Sequence, residues 1–326
     1  MKIESFPRKL FLFRNNLCMF AQTQNELHNM KHMSILAVSL LALVACTPEK
    51  KQEADYSQYV NPMIGTDFTG NTYPGAQLPF GMVQLSPDNG LPGWDRISGY
   101  FYPDTTIAGF SHTHLSGTGA GDLYDISFMP VTRPYKEAPA PLGIYSTFSH
   151  NDEAASAGYY RVLLKDYNIN VELTATERCG IQRYTFPEAE ASVFLNLKKA
   201  MNWDFTLDSK IEVVDSTTIR GYRLSQGWSP LQHVYFETRF SKPFVACHMD
   251  TTSIVTKEKG WIGTAYVARF DFNTKKDEEI LVTTGISGVS MEGAGKNLRA
   301  EAPKDDFDYY QAQASANWNR QLSKIE

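Results

Sequence analysis

The chain lacks the features that mark several large classes of protein. Its 326 residues include only four cysteines, none in a Cys-x-x-Cys pair, which argues against a zinc site of paired thiolates. No basic block occurs, and 31 basic against 36 acidic residues leave a formal net charge of −5, so we expect no nucleic-acid partner. No apolar run reaches the roughly 20 residues of a membrane-spanning helix.

Apolar and aromatic residues, by contrast, are plentiful. They make up 42% and 13% of the chain, a composition typical of globular proteins. The length allows one large or two ordinary domains. The 17 Tyr, 19 Phe and 5 Trp can fill a core and still leave rings for flat apolar ligands such as the faces of sugars.

A segment near the N-terminus has the pattern of a bacterial lipoprotein signal. A short basic start at 30–33 precedes an apolar run at 34–45, and the Leu-Val-Ala-Cys sequence ending at Cys46 matches a lipobox, in which the thiol receives a diacylglycerol. We therefore predict a signal peptide at 30–45 and an exported lipoprotein that Cys46 anchors to a membrane, in the periplasm or at the outer membrane and cell surface. A buried apolar helix with an incidental cysteine is the alternative.

The residues on either side of this signal have no globular pattern. The stretch 1–29 fits no ordinary signal, so we predict that it is an upstream extension and that translation starts at Met30. The polar residues 46–58 are predicted to form a tether. The sequence leaves open whether Cys179 and Cys247 form a disulfide.

From residue 159 onward, apolar and polar residues alternate with a period of two, which is typical of half-buried strands. Turn residues separate the strands, and no helical pattern lies between them, so we predict an all-β fold of the antiparallel sandwich or barrel type. The predicted strands cover residues 160–164, 169–175, 192–197, 218–225, 234–240, 261–272 and 279–285.

The C-terminal end of the chain changes to a helical period. Asp305 or Asp306 can cap a helix whose apolar residues recur at spacings of three and four. We predict a helix over 305–326, either docked on the sheet or leading into a second domain. Its apolar positions are Phe307, Tyr310, Ala314, Trp318, Leu322 and Ile325.

Residues 61–125 are the most informative window. They contain 11 of the 22 glycines and 6 of the 16 prolines, which predicts irregular backbone with tight turns. Long ordered loops inside a compact domain usually carry function.

Several chemistries compete for this window. His112 and His114 are two residues apart, so on an extended strand both rings face one way, as a metal pair requires. Only two ligands are visible, however, and Asp95, Asp122 or Asp125 must supply the rest.

Two further alternatives fit only in part. The glycine-rich run at 117–121 suggests a phosphate loop but lacks the P-loop lysine and a following helix. Ser111, His112 and Asp122 can be combined into a hydrolase triad, yet no Gly-x-Ser-x-Gly elbow is present.

A polyhydroxylated ligand suits the window best. Trp94 offers a flat ring for the apolar face of a pyranose, while Asp67, Asp95, His112 and His114 offer directional hydrogen bonds to hydroxyls. The alternative is a glycine-rich loop whose His and Asp side chains only satisfy the buried backbone.

Several motifs together resemble the N-terminal domain of glycoside hydrolase family 92, a family of bacterial exo-acting α-mannosidases. The clearest are Asn-Pro-Met-Ile-Gly-Thr at 61–66 and Ser-His-Thr-His-Leu-Ser-Gly at 111–117. The other matching stretches are 74–88, 98–100, 172–178 and 183–187.

The resemblance implies a fold and a mechanism. The fold is a galactose-mutarotase-like β-sandwich over 59–304, which a linker helix at 305–326 joins to an (α/α)6 barrel. In such enzymes calcium holds the terminal mannose between the two domains, and a Glu acid and an Asp base invert the anomeric centre. The barrel supplies both carboxylates and the calcium ligands, so we expect neither a catalytic residue nor a metal ligand in this chain.

The resemblance predicts that the chain is the substrate-pocket domain of an exported α-mannosidase that acts on mannose-containing glycans, truncated before the barrel and inactive alone. Trp94, Asp95, His112 and His114 lie in matching motifs and would form one wall of the pocket. Two alternatives remain, which are a stand-alone carbohydrate-binding or interaction lipoprotein and a split enzyme whose barrel is a separate chain.

Overall fold

A computed structural model of the chain describes residues 54–198, 202–256 and 261–324. The predicted upstream extension, the signal segment and Cys46 lie outside these described residues, as does most of the predicted tether. Within them, no helix has the length and apolar character that crossing a bilayer requires.

The described chain forms two large sheets in which every strand pairing is antiparallel. In spatial order, the seven-stranded sheet contains β1 (Ala76–Gln77), β2 (Gln84–Asp88), β4 (Gly109–Ser111), β5 (Ser127–Thr132), β13 (Ala189–Asn196), β18 (Trp261–Thr274) and β17 (Ala246–Thr256). The eight-stranded sheet contains β14 (Phe205–Val213), β15 (Thr218–Gln226), β16 (Gln232–Phe240), β19 (Glu278–Ser287), β12 (Cys179–Phe186), β11 (Ile169–Ala175), β10 (Tyr159–Leu164) and β9 (Glu153–Ser156).

Several shorter elements accompany these two sheets. Two small hairpins pair β3 (Thr106–Ile107) with β8 (Ser146–Thr147) and β6 (Glu137–Ala138) with β7 (Gly143–Ile144). Single 3-10 turns cover Tyr56–Tyr59, Trp94–Arg96 and His150–Asp152.

The core lies between the two sheets because the alternating strands turn one row of side chains inward. In β15, alternate residues from Ile219 to Ser225 are buried. Inward residues of both sheets form one apolar cluster that includes Phe128, Leu195, Phe236, Phe270 and Val282. The predicted antiparallel β-sandwich is confirmed.

Three long strands escaped prediction. β12 lies inside its sheet and is buried along its first four residues, so it shows little alternation, whereas the other two lie at sheet edges. β14 ends the eight-stranded sheet and β17 ends the seven-stranded sheet. An edge strand has one neighbour and a more solvated face, so its sequence alternates less cleanly. β17, for example, contains the polar run Asp250-Thr251-Thr252.

Two helices follow the last strand, where the sequence predicted one. Helix α1 spans Met291–Glu301 and helix α2 spans Phe307–Leu322. The glycines of α1 weaken its helical signal, but Gly295 makes room for a neighbour, because a Cβ there would lie 2.5 Å from Glu237 Oε2 and that carboxylate would have to shift. Tertiary contact therefore overrides local propensity here.

Helix α2 is docked on the outer face of the eight-stranded sheet. The Asp306 carboxylate caps it by accepting a hydrogen bond from Tyr309 N at 3.0 Å. Phe307 and Tyr310 are buried against the sheet, and the Trp318 indole donates to Gln77 O at 2.7 Å. The predicted C-terminal helix is confirmed.

The two cysteines in the described chain are both free thiols. Cys179 lies in β12, in a small apolar cluster beneath the helices, and burial raises the pKa of its thiol to about 12. Cys247 lies in β17 of the other sheet. The sequence left their pairing open, and the structure shows that they are not joined.

Candidate functional site

The glycine-rich window folds into irregular loops around β2, β4 and β5, and part of it is strained. Leu123, Tyr124 and Ile126 all have positive φ angles, of 89°, 65° and 55°. Large non-glycine residues rarely adopt a positive φ, and this backbone conformation persists only where the surrounding structure imposes it. Here Tyr124 N donates to Thr113 O at 3.0 Å, and the Tyr124 hydroxyl donates to Ile97 O.

A cleft of about 450 Å³ opens beside this strained segment. Three chain segments that are distant in sequence line it with the residues Thr118, Gly119, Ala120, Trp203, Gly227 and Trp228. Its volume lies in the range typical of small-molecule sites.

Exposed indoles dominate the rim of the cleft. Trp94, Trp203 and Trp228 are 58%, 44% and 82% exposed. The Trp94 and Trp203 rings lie 6.4 Å apart at an angle of 30°. Gly119 lets the backbone approach Trp94, since a Cβ there would lie 3.2 Å from the indole. Large apolar rings left in water around one cleft mark a binding surface.

Asn202 links two of these indoles through the backbone. Its side-chain oxygen accepts a hydrogen bond from Gly93 N at 3.0 Å, next to Trp94, and its amide nitrogen donates to the Tyr124 hydroxyl at 3.3 Å. Asn202 also directly precedes Trp203 in the chain. The loops that carry Trp94 and Trp203 are therefore tied to each other.

Asp122 holds the loop that carries the third indole. Its carboxylate oxygens accept hydrogen bonds from Trp228 N at 3.0 Å, Ser229 N at 3.1 Å and the Gln232 side chain at 3.2 Å. Gly227 packs directly over this carboxylate, and a Cβ there would collide with it. Asp122 is itself almost fully buried.

A buried ion network lies close to these loops. Arg223 of β15 has no exposed surface, and its guanidinium donates to Asp125 Oδ1 at 2.7 Å, Asp204 Oδ2 at 3.0 Å and Thr206 Oγ1 at 2.9 Å. Burial raises the pKa of the Asp204 carboxyl to about 6, although the Arg223 charge opposes this shift. The other oxygen of Asp204 has no hydrogen-bond partner. Two carboxylates thus share one guanidinium.

His114 lies beneath the surface and bonds to the protein itself. Its Nδ1 donates to Gln84 O at 2.7 Å, and its Nε2 lies 2.9 Å from Asp88 Oδ1 and 3.1 Å from Ser111 Oγ. In a catalytic triad, the Ser and the Asp bind opposite nitrogens of the ring. Here both contact the same nitrogen, and the hydroxyl is buried, so this arrangement does not activate Ser111 as a nucleophile.

His112 is buried between the sheets. Its Nδ1 donates to Ile126 O at 2.7 Å, while its Nε2 has no partner. Burial lowers the pKa of the ring to about 4, so the imidazole is neutral near pH 7. It packs against Gly180, where a Cβ would lie 2.7 Å from Nε2.

The predicted site residues do not all meet at the cleft. Trp94 and the partly exposed Asp95 lie on one 3-10 turn at the rim. The half-buried Asp67 accepts a hydrogen bond from Phe68 N, and the two histidines are not among the lining residues of the cleft. Direct sugar binding by Asp67, Asp95, His112 and His114 stays a prediction.

The structure offers no support for a metal pair. Among the described residues, no group of three or more His, Cys, Asp or Glu side chains converges as ligands would. The glycine-rich run at 117–121 lines the cleft without a following helix.

Sequence reasoning missed Trp203, Trp228 and Arg223. Both tryptophans lie in turns next to Asn, Gly or Ser, where a large ring has no core to fill, and this is a usable signal. Arg223 occupies an inward position of an alternating strand, where an arginine indicates a buried ion pair.

Comparisons with known proteins agree on one family. A model of the glycosyl hydrolase family 92 N-terminal domain matches residues 59–287. A family GH92 α-mannosidase from Bacteroides thetaiotaomicron, solved in complex with mannoimidazole, is 37% identical with a TM-score of 0.76, over 83% of this chain and 37% of that one. A family GH92 inverting mannosidase from the same organism is 26% identical with a TM-score of 0.70, over 85% and 37%.

A further relative is named an uncharacterized secreted glycosidase, from Arthroderma benhamiae. It is 27% identical over 172 residues, which are 50% of this chain and 21% of that protein. The chain therefore spans between 21% and 37% of the length of these relatives.

Proposed function

The chain belongs to glycosyl hydrolase family 92 through the N-terminal domain at residues 59–287, and we propose that this domain supplies the sugar-contacting wall of an exo-acting α-mannosidase. The three exposed indoles around the cleft carry the proposal. The C–H face of a pyranose is apolar and flat, so it suits an indole, while its hydroxyls need polar neighbours. Thr118 lines the cleft, and we propose that Asp95, which follows Trp94 in the same 3-10 turn, supplies another such group.

We propose that the proton-transfer groups come from an (α/α)6 barrel domain. Inverting hydrolysis needs two carboxyl groups roughly 6.5–9.5 Å apart, with a water between them. No carboxylate is among the described residues that line the cleft. Asp122 and Asp204 lie close to the cleft but are buried and bonded to backbone amides and Arg223.

Calcium, which the family resemblance implies for the whole enzyme, does not fit the described residues. Calcium takes six to eight oxygen ligands, and the described part of the chain gathers no acidic cluster of three or more. We assign no step of a mechanism to calcium in this chain.

Binding and turnover by the purified chain test this function. We expect weak but saturable binding of α-1,2-mannobiose in calorimetry, weaker binding of the matched glucose disaccharide, and no released mannose. One wall of a pocket buries less of the ligand than a closed site, which limits its affinity.

Each other outcome has a definite meaning. Robust mannose release would contradict the assignment of the acid and base to another domain. Tight binding without turnover would favour the alternative of a stand-alone carbohydrate-binding lipoprotein. Equal binding of both disaccharides would contradict the mannose assignment.

We also propose that the protein is exported and held at a membrane by lipid on Cys46. The lipobox carries this proposal, and the relative from Arthroderma benhamiae is described as secreted. Several acyl chains on one residue anchor a protein firmly, at about 0.8 kcal/mol per buried methylene.

Replacing Cys46 tests the anchor. When the full chain is expressed in a bacterium with lipoprotein processing and a labelled fatty acid, we expect the unchanged chain to incorporate the label and Cys46→Ser to incorporate none. Cys247→Ser is the matched control, because that residue is a free thiol of strand β17 and lies outside the lipobox. Incorporation of the same amount of label by Cys46→Ser would rule out a lipid anchor on this residue.

A further inference from the structure

We propose that Asp122 is a positioning residue of the cleft, whose buried carboxylate fixes the Trp228 indole where a sugar ring can stack. This inference rests on the proposed function, since it assigns Trp228 to sugar binding. It adds a buried residue that is not among the lining residues of the cleft and that the family motifs did not single out.

The contacts of Asp122 point to the loop of Trp228 and to little else. Two of its three hydrogen bonds come from consecutive backbone amides, those of Trp228 and Ser229. Each oxygen of the carboxylate accepts from one of these amides, so the peptide planes on both sides of the Trp228 Cα are held in place. The direction of the Trp228 Cα–Cβ bond is therefore fixed. The indole is 82% exposed, so few packing contacts fix it.

The two hydrogen bonds from Trp228 N and Ser229 N to the Asp122 carboxylate form a clamp, and the neighbouring residues leave room for it. Gly227 leaves room for the loop to rest on the carboxylate, where any larger residue would collide. Gly227 N also donates to Ser229 O at 3.0 Å, which closes a tight turn around Trp228. Asp122 directly precedes the strained segment that leads into β5, so its hydrogen bond to Trp228 N joins two parts of the chain about a hundred residues apart.

Chemistry explains why this role requires an acid. A carboxylate only accepts hydrogen bonds and can serve amides on both oxygens. In Asp122→Asn, one of these oxygens becomes an NH2 group, which turns a donor toward at least one donor of the loop. The shape of the side chain is kept, while the clamp is broken on one side.

A double-mutant cycle on the full chain tests the inference, with α-1,2-mannobiose as the probe. We expect Asp122→Asn to weaken binding about tenfold, the effect of one lost charge-assisted hydrogen bond. In a Trp228→Ala background, we expect Asp122→Asn to cause no further loss, because Asp122 acts only through the indole. Equal losses in both backgrounds would overturn the proposal.

Gln232→Ala is the matched control. It removes the side-chain partner of Asp122 but keeps both amide bonds of the loop. We expect this variant to bind the disaccharide as the unchanged chain does. A loss as large as that of Asp122→Asn would mean that the carboxylate acts through Gln232 instead.

An indole resonance gives a readout that does not depend on sugar. Trp228→Phe identifies the Nε1–H signal of Trp228 in a ¹H–¹⁵N spectrum. We expect Asp122→Asn to shift or broaden that signal, and Gln232→Ala to leave it in place. If the unchanged chain binds no mannoside, the proposed function fails. If the signal is the same in Asp122→Asn, the positioning role fails.

Discussion

Replacing Arg223 by methionine is expected to lower the free energy of unfolding by about 3–5 kcal/mol, the usual cost of removing one partner from a buried ion pair. The guanidinium bonds to Asp125 and Asp204, and all three side chains are buried. Methionine fills similar space but leaves both carboxylates without their cation. Urea denaturation at pH 7 measures the change.

The loss should depend on pH in a defined direction. The folded-state pKa of Asp204 is raised to about 6 from an ordinary value of 3.8, so the native protein binds the extra proton between these values. Stability from this group therefore rises as the pH falls from 7 toward 4. We expect Arg223→Met to recover part of its loss at pH 5.

Two controls separate the ion network from a general effect of the substitution. Adding Asp204→Asn to Arg223→Met removes one unpaired charge, and we expect this double variant to be more stable than Arg223→Met at pH 7. Arg220→Met changes an exposed arginine of the same strand, paired with Glu212 at the surface, and should change stability little. If Arg223→Met were as stable as Arg220→Met, the buried network would not support the fold.

Removing both indoles that line the cleft is expected to abolish measurable mannoside binding. Trp203→Ala with Trp228→Ala strips the cleft of its flat apolar surface. Tryptophans in binding sites commonly contribute about 2 kcal/mol each, so the double variant should bind at least roughly a hundredfold more weakly. Calorimetry with α-1,2-mannobiose measures the change.

Trp318→Phe is the matched control for this loss. That indole packs on the sheet through helix α2 and bonds to Gln77 O, away from the lining residues of the cleft. We expect its substitution to leave mannoside binding unchanged. If the double variant bound α-1,2-mannobiose as tightly as the unchanged chain, the sugar site would have to lie outside this cleft.

Local pattern was enough to predict most of the sandwich. A strand with one buried face must alternate apolar and polar residues, so strands such as β11, β15 and β16 are visible in the sequence. The capped helix α2 is visible for the same reason, since its apolar residues recur on one side. The edge strands β14 and β17, the largely buried strand β12 and the glycine-containing helix α1 were not visible, because packing partners rather than local pattern decide them.

The candidate site was predictable only in part. The glycine-rich window pointed to the right loops, and Trp94 lies at the rim of the cleft. His112 and His114, however, turned out to bond to buried groups of the protein, which no spacing in the sequence reveals. A short polar motif shows which chemistry is available and not which way a side chain faces.

The sequence by itself determined the all-β fold, the terminal helix and the family, because each depends on residues that are close together in the chain. Only the tertiary structure decided that Trp94, Trp203 and Trp228 share one cleft, that Asp122 reaches the loop of Trp228, and that Arg223 joins Asp125 to Asp204. The physical reason is that strand pairing and loop packing bring together residues that are separated in the chain, by 19 positions in one of these contacts and by 106 in another, and a local periodicity in the sequence carries no information about such contacts.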